Sequence, residues 1–296
     1  MPTAGTPHGV SDTGTLRGLV DLVRPGNAVA AAVLTFTGTF VAVGDAAWGG
    51  AALRTTAGVV ATVTATGGGN AVNDYFDRAV DRVNRPDRPI PRGAVSPRVA
   101  LVFALALFAL AVAVAATLPP VALGIALANA AALAAYTRVF KRLPGVGNLV
   151  VALLTGSTFL FGGAAVGSPT APGLVVMALL AAAATLGREL VKDVEDVAGD
   201  RAEGLRTFPI VAGERPALGV AAAAVGAAVL ASGVPVALGT FGVAYLAVVL
   251  PADAVLLAAT VRSFADPGAG QRRLKTGMFL AAAAFVVGRA AALVAG

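Results

Sequence analysis

The segment Asn70-Ala71-Val72-Asn73-Asp74-Tyr75-Phe76-Asp77-Arg78-Ala79-Val80-Asp81 is answered later in the chain by Glu189-Leu190-Val191-Lys192-Asp193-Val194-Glu195-Asp196-Val197-Ala198-Gly199-Asp200. Both carry the spelling Asp-x-x-Asp-x-x-x-Asp, and both close a long apolar run. A helix advances about 100° per residue, so Asn70, Asp74, Asp77 and Asp81 fall within an arc of roughly 60°. Glu189, Asp193, Asp196 and Asp200 do the same. Two carboxylate stripes repel one another when brought together unless divalent cations neutralise them. The expectation is a pair of helices whose acidic ends face each other around a metal–phosphate site.

The solvent for the rest of the chain is lipid. The sequence is 57% hydrophobic and 13% charged, where a soluble domain carries about 25% charged residues. A helical span needs about 20 apolar residues. Nine stretches qualify, at 27–44, 51–73, 97–117, 121–137, 149–167, 172–192, 216–236, 239–261 and 274–295. Alternating strand patterns are absent, which argues against a barrel. The predicted fold is all-α, a multi-pass membrane protein of about nine helices around a central cavity. Residues 1–14 read as a polar leader and 15–296 as one transmembrane domain. No apolar h-region precedes the first span, so no cleavable signal peptide is expected.

Charge sets the orientation. With nine spans, the N-terminus and the loops after spans two, four, six and eight share one side. Every Lys and Arg except Arg54 and Arg289 lies on that side or at the span ends facing it. The positive-inside rule places it in the cytoplasm, so the net charge of +6 reflects topology and not nucleic-acid binding. Pro86, Pro89 and Pro91 should end the helix carrying the first stripe. Gly67, Gly68 and Gly69 ahead of it permit either a bend or close helix packing.

Cysteine is absent and the one histidine, His8, sits in the leader. Thiolate sites, cysteine nucleophiles and histidine acid–base chemistry are therefore excluded as readings. Carboxylates without His or Cys suit a hard cation, Mg²⁺ or Mn²⁺. Asp74, Asp77, Asp193 and Asp196 are the deeper candidate ligands, with Asp81 and Asp200 nearer the surface. Mg²⁺ binds through a few carboxylates plus substrate phosphates, so the stripes read as a cradle for a diphosphate. Arg24, Arg78, Arg88, Lys141, Lys192 and Arg206 are candidates for its oxygens. Asn27, Asn70 and Asn73 stand beside them. Tyr136 is either an aromatic face for an allylic cation or an interfacial belt residue.

The string Asn73 to Asp81 resembles the NDxxDxxxD motif of the UbiA superfamily of intramembrane prenyltransferases, and Asp193 to Asp200 resembles its second acidic motif. The likeness extends over essentially the whole chain. Asn84 to Gly93, Gly187 to Asp200 and Arg206 to Ile210 are similar to the archaeal group that builds the second ether bond of membrane lipids. The resemblance implies Mg²⁺-dependent transfer of a geranylgeranyl group from geranylgeranyl diphosphate to the free hydroxyl of geranylgeranylglyceryl phosphate. It implies that Asp74, Asp77, Asp193 and Asp196, with Tyr136, carry the chemistry. The expected partners are a prenyl diphosphate, a lipid-phosphate acceptor and the bilayer, with no nucleic acid and no obligate protein partner. An aromatic or chlorin acceptor is the nearest alternative reading. A cation transporter is a remote one, because its acids should be reachable from both membrane faces, whereas here they gather on one.

Overall fold

Proline opens the long helices and glycine closes several of them. Helices begin at Pro25, Pro97, Pro120, Pro172 and Pro267, where a fixed φ is already helical and the missing amide is no loss. Before Pro97, the Ser96 hydroxyl accepts a hydrogen bond from the Val99 amide at 3.3 Å, a side-chain N-cap. Gly44, Gly167 and Gly239 follow helix ends with positive φ, a conformation that suits glycine.

The computed structural model describes residues 12–44, 48–140, 143–202 and 204–295. Its helices are α1 (Asp12–Val23), α2 (Pro25–Val43), α3 (Trp48–Asn84), α4 (Pro97–Ala115), α5 (Pro120–Arg138), α6 (Val146–Ala165) and α7 (Pro172–Glu195). They are followed by α8 (Val197–Ala202), α9 (Phe208–Ala212), α10 (Glu214–Ala231), α11 (Val234–Ala237), α12 (Val243–Ser263) and α13 (Pro267–Ala295). No strand occurs among the described residues. The leader expected at 1–14 lies outside the described residues up to residue 11, and residues 12–14 already belong to α1.

Among the described residues the nine expected spans fall on nine long helices, except that 216–236 runs past the end of α10 into the short α11. Eight of these are long and apolar enough to cross a membrane. The exception is α3, which holds the expected span 51–73: it runs 37 residues, but its threonines, glycines and acidic end dilute its apolar character. α3 ends at Asn84, just ahead of Pro86. It stays unbroken through Gly67 to Gly69, which pack against Val23, Phe108 and Leu133 respectively. Of the two readings of that triplet, packing is the one observed.

The long helices close into a ring in the order α3, α2, α13, α12, α10, α7, α6, α5, α4. The ring is pinched where α2 crosses to α6. There the Thr39 hydroxyl donates to the Gly162 carbonyl at 3.1 Å. A Cβ added to Gly162 would come within 2.9 Å of the Thr39 amide nitrogen, so only glycine lets the two backbones approach this closely. The pinch divides the interior. A chamber of about 560 Å³ lies mainly among α2, α6, α7, α10, α12 and α13. A smaller one of about 240 Å³ lies among α3, α4, α5 and α6. Thr66, Asn73, Leu133, Leu154 and Thr158 line both.

Overpacking the pinch should be costly. Gly162→Val is expected to lower stability by about 1–3 kcal/mol, read as a drop in the thermal midpoint of the detergent-solubilised protein. Gly219→Val, where added atoms meet open space, should leave the midpoint nearly unchanged.

Candidate active site

The large chamber reaches one end of the bundle, where Arg24, Asn27, Asn73, Tyr136, Glu189 and Lys192 line it. Both acidic segments belong to this end. Tyr136, near the end of α5, lines the chamber together with Asn73 of the first segment and Glu189 and Lys192 of the second.

In the first segment the acids are held by arginines. The Asp74 side chain is only 3% exposed and forms ion pairs with Arg24 and, at 3.2 Å, with Arg88. Arg88 also donates to Asp81 at 2.6 Å. Arg24 is the sole non-glycine residue with positive φ among those described, at φ 53° and ψ 76°. That conformation costs about 1–3 kcal/mol and persists only where its surroundings compel it. Here it turns the chain from α1 into α2 and brings the guanidinium to Asp74. Asn70 donates to the Val23 carbonyl at 2.8 Å, fixing α3 to the end of α1. The Thr137 hydroxyl donates to Asn73 Oδ1 at 2.9 Å, which ties α3 to α5. Asp77 is half-buried on the same stripe.

The second segment is held differently. Asn148, in the first turn of α6, donates from Nδ2 to Asp193 Oδ2 at 2.8 Å. Lys192 Nζ lies 3.7 Å from Asp196 Oδ2, with both side chains substantially exposed. The expected continuous stripe is interrupted, since α7 ends at Glu195, Asp196 is its C-cap and Asp200 belongs to α8. The break is slight: the Asp196 amide donates to the Lys192 carbonyl at 3.0 Å and the Asp200 amide to the Asp196 carbonyl at 2.9 Å. The i→i+4 ladder carries the face across it.

Three candidates do not join the site as expected. Arg78 stands over its neighbour's ring, 4.6 Å from the Tyr75 centroid, and donates to the Tyr75 carbonyl at 2.7 Å. It lines neither chamber, because this local bond and cation–π contact engage its guanidinium. Arg206 is exposed in the link between α8 and α9 and lines neither chamber. Lys141 lies outside the described residues.

Other residues in the chamber or bonded to the acidic segments were not anticipated. Asp253, buried in the middle of α12, accepts from the Ser232 hydroxyl at 2.6 Å at the far end of the large chamber. Its signal was legible as one acid in an otherwise apolar run, 243–261. Arg188 and Asn148 had no such signal, since a span-end arginine and an isolated asparagine are ordinary in sequence.

Residues 31–283 match the UbiA prenyltransferase family. The chain belongs to that family. Its relatives include the digeranylgeranylglyceryl phosphate synthase of Natronomonas pharaonis, 62% identical over 93% of this chain and 98% of that protein. The protein of the same name from Haloquadratum walsbyi is 57% identical over 94% of this chain and 96% of its own length. Among UbiA structures, one described as digeranylgeranylglyceryl phosphate synthase is similar with a TM-score of 0.77 at 30% identity, over 93% of this chain and 98% of that one. The fold also recurs in a UbiA homologue from Archaeoglobus fulgidus bound to GPP and Mg²⁺, with a TM-score of 0.68 at 18% identity, over 92% and 99% of the two chains. With this membership and its eight apolar helices, the chain is a multi-pass membrane protein.

The arginine pairs carry a testable energetic consequence. Arg88→Gln removes an ionic partner from two buried carboxylates and is expected to cost about 3 kcal/mol, measured by thermal unfolding. Arg92→Gln breaks the exposed Arg92–Asp21 pair at 2.5 Å and should cost less than about 1 kcal/mol.

Proposed function

We propose that this UbiA-family chain transfers a geranylgeranyl group from geranylgeranyl diphosphate to the free glycerol hydroxyl of geranylgeranylglyceryl phosphate, within one domain spanning 15–296. The observation that carries this reading is the opening of a mostly apolar chamber onto both acidic segments, with Tyr136 lining it alongside Asn73, Glu189 and Lys192. The high identity to relatives named for that product supports the acceptor. An aromatic or chlorin acceptor finds no comparable support.

A divalent cation fits the donors present. Among the described residues no three acids cluster tightly enough to hold an ion by themselves. That suits Mg²⁺, which takes one or two carboxylates and completes its shell with substrate phosphates and water. We assign Asp74 and Asp77 on one stripe and Asp193 and Asp196 on the other as the carboxylates that would hold divalent ions, one or two to each ion, with Asp81 and Asp200 at the rim; Mn²⁺ is the alternative hard cation. When bound, the ion supplies charge neutralisation to the departing diphosphate.

The chain's own residues then have separate tasks. Arg24 and Lys192 line the chamber beside the acids, where each can donate to diphosphate oxygens. Asn73 and Asn27 offer neutral donors to the same group. As the bond between C1 and the diphosphate oxygen breaks, the Tyr136 ring faces the developing allylic cation. The acceptor oxygen attacks C1, forms the ether bond and gives up its proton to the released diphosphate. Apolar walls such as Leu34, Leu180 and Phe285 exclude water, which would otherwise take the acceptor's place. By the positive-inside distribution the site opens to the cytoplasm.

The test is product formation by purified protein supplied with both substrates and Mg²⁺. A diether product is expected, abolished by EDTA and by Asp74→Ala or Asp193→Ala. Prenyl transfer only to aromatic or chlorin acceptors would refute the acceptor assignment. Asn148→Ala, which strips Asp193 of its amide donor, is expected to raise the Mg²⁺ concentration for half-maximal rate by about 10–100-fold.

A further inference from the structure

Two polar side chains on α7 line the large chamber with hydrogen-bonding capacity unspent. Helical threonines in this chain commonly return their hydroxyls to the preceding turn: Thr37 to the Val33 carbonyl at 2.7 Å, Thr155 to Val151 at 3.0 Å and Thr260 to Leu256 at 2.8 Å. Thr185 does not, and its Oγ1 is buried without a partner. One turn further, Arg188 Nε is also buried without a partner. Arg188 donates from Nη1 to Glu189 Oε1 at 2.6 Å and from Nη2 to Gln271 Oε1 at 3.3 Å. A guanidinium has five donors in a planar fork, so this one retains capacity for an oxyanion. Lys275, one turn from Gln271 on α13, lines the same chamber.

These residues form a second cationic wall. Arg24 and Arg88 belong to the first, and both are engaged with Asp74. The reaction proposed above brings two anionic groups into one chamber, a diphosphate and a single phosphate. Arg24 of the first wall, with Lys192, is assigned above to the diphosphate. The α7–α13 wall has an arginine in the last two turns of an apolar span, with more donors than its two partners use. Arginine matches phosphate oxygens bidentately.

We infer that Arg188, with Thr185 and Lys275, binds the phosphate of the acceptor lipid. The inference rests on the acceptor reading above. Its test is steady-state kinetics of the full-length protein in detergent, varying each substrate at saturating levels of the other. Arg188→Gln is expected to raise KM for geranylgeranylglyceryl phosphate by roughly tenfold or more, the loss of one charge-assisted hydrogen bond. The KM for geranylgeranyl diphosphate should move far less, and Arg188→Lys should recover part of the defect. Lys275→Gln alters an exposed side chain and should shift the acceptor KM in the same direction, which decides the matter if Arg188→Gln fails to fold. Equal shifts in both KM values, or an acceptor KM unmoved in the folded variants, would overturn the inference. Wild-type protein that makes no diether would instead overturn the acceptor reading itself.

Discussion

A carboxylate buried at the end of an apolar bundle must be neutralised, and at Asp74 that requirement shapes everything around it. Leaving such a charge without a partner costs several kcal/mol. Holding a non-glycine residue in the left-handed region costs about 1–3 kcal/mol. The first penalty is the larger, so the strained turn at Arg24 is tolerated because it delivers a guanidinium to Asp74. Arg88 approaches the same carboxylate from the proline-rich loop after α3 and bridges to Asp81. The α1–α2 junction, the end of α3 and the following loop thus converge on one charge. In the proposed reaction, a diphosphate arriving there meets the Arg24 guanidinium already placed by Asp74.

The two acidic stripes share a spelling but not an environment. Arginines neutralise Asp74 and Asp81, whereas Asp193 receives a neutral amide from Asn148 and Asp196 has only a loose, exposed lysine. A neutral donor orients a carboxylate while leaving its charge in place. In the second stripe Arg188 pairs with Glu189 and Lys192 lies near Asp196, while the first presents an organised set of arginines on Asp74 and Asp81. In the proposed reaction the acids of both stripes serve the metal ion, and the cations beside them serve the phosphate.

Separation of space complements separation of charge. Glycine at position 162 lets α2 and α6 touch, and their contact divides the interior into two chambers that meet at Asn73. In lipid, helices gain little from burying apolar surface, so close backbone packing and short polar bonds such as Thr39 to Gly162 have to define the shape. The same poverty of polar partners makes isolated groups conspicuous: Asp253 with Ser232, and Arg188 with Glu189 and Gln271, are each anchored to a second helix.

Much of this was legible in order along the chain. Long apolar runs in lipid can only be helices, because every backbone amide must be satisfied within its own segment, and so the elements followed from composition. Helical periodicity alone put Asp74 and Asp81 on one face, and Asp193 with Asp196. Pairing between distant segments was not legible. Arg78 and Arg88 look alike in sequence, yet one lies over Tyr75 and the other joins Asp74 to Asp81, because the loop after α3 folds back only in three dimensions. Nor does sequence distinguish Thr185 from the threonines that bond their own helix, or mark Asn148 as the partner of Asp193. By itself, the sequence determined the helices and their acidic faces, since these depend on local spacing and transfer energy. Only the tertiary structure decided which cation meets which carboxylate and where the interior divides, since those depend on contacts between residues far apart in the chain.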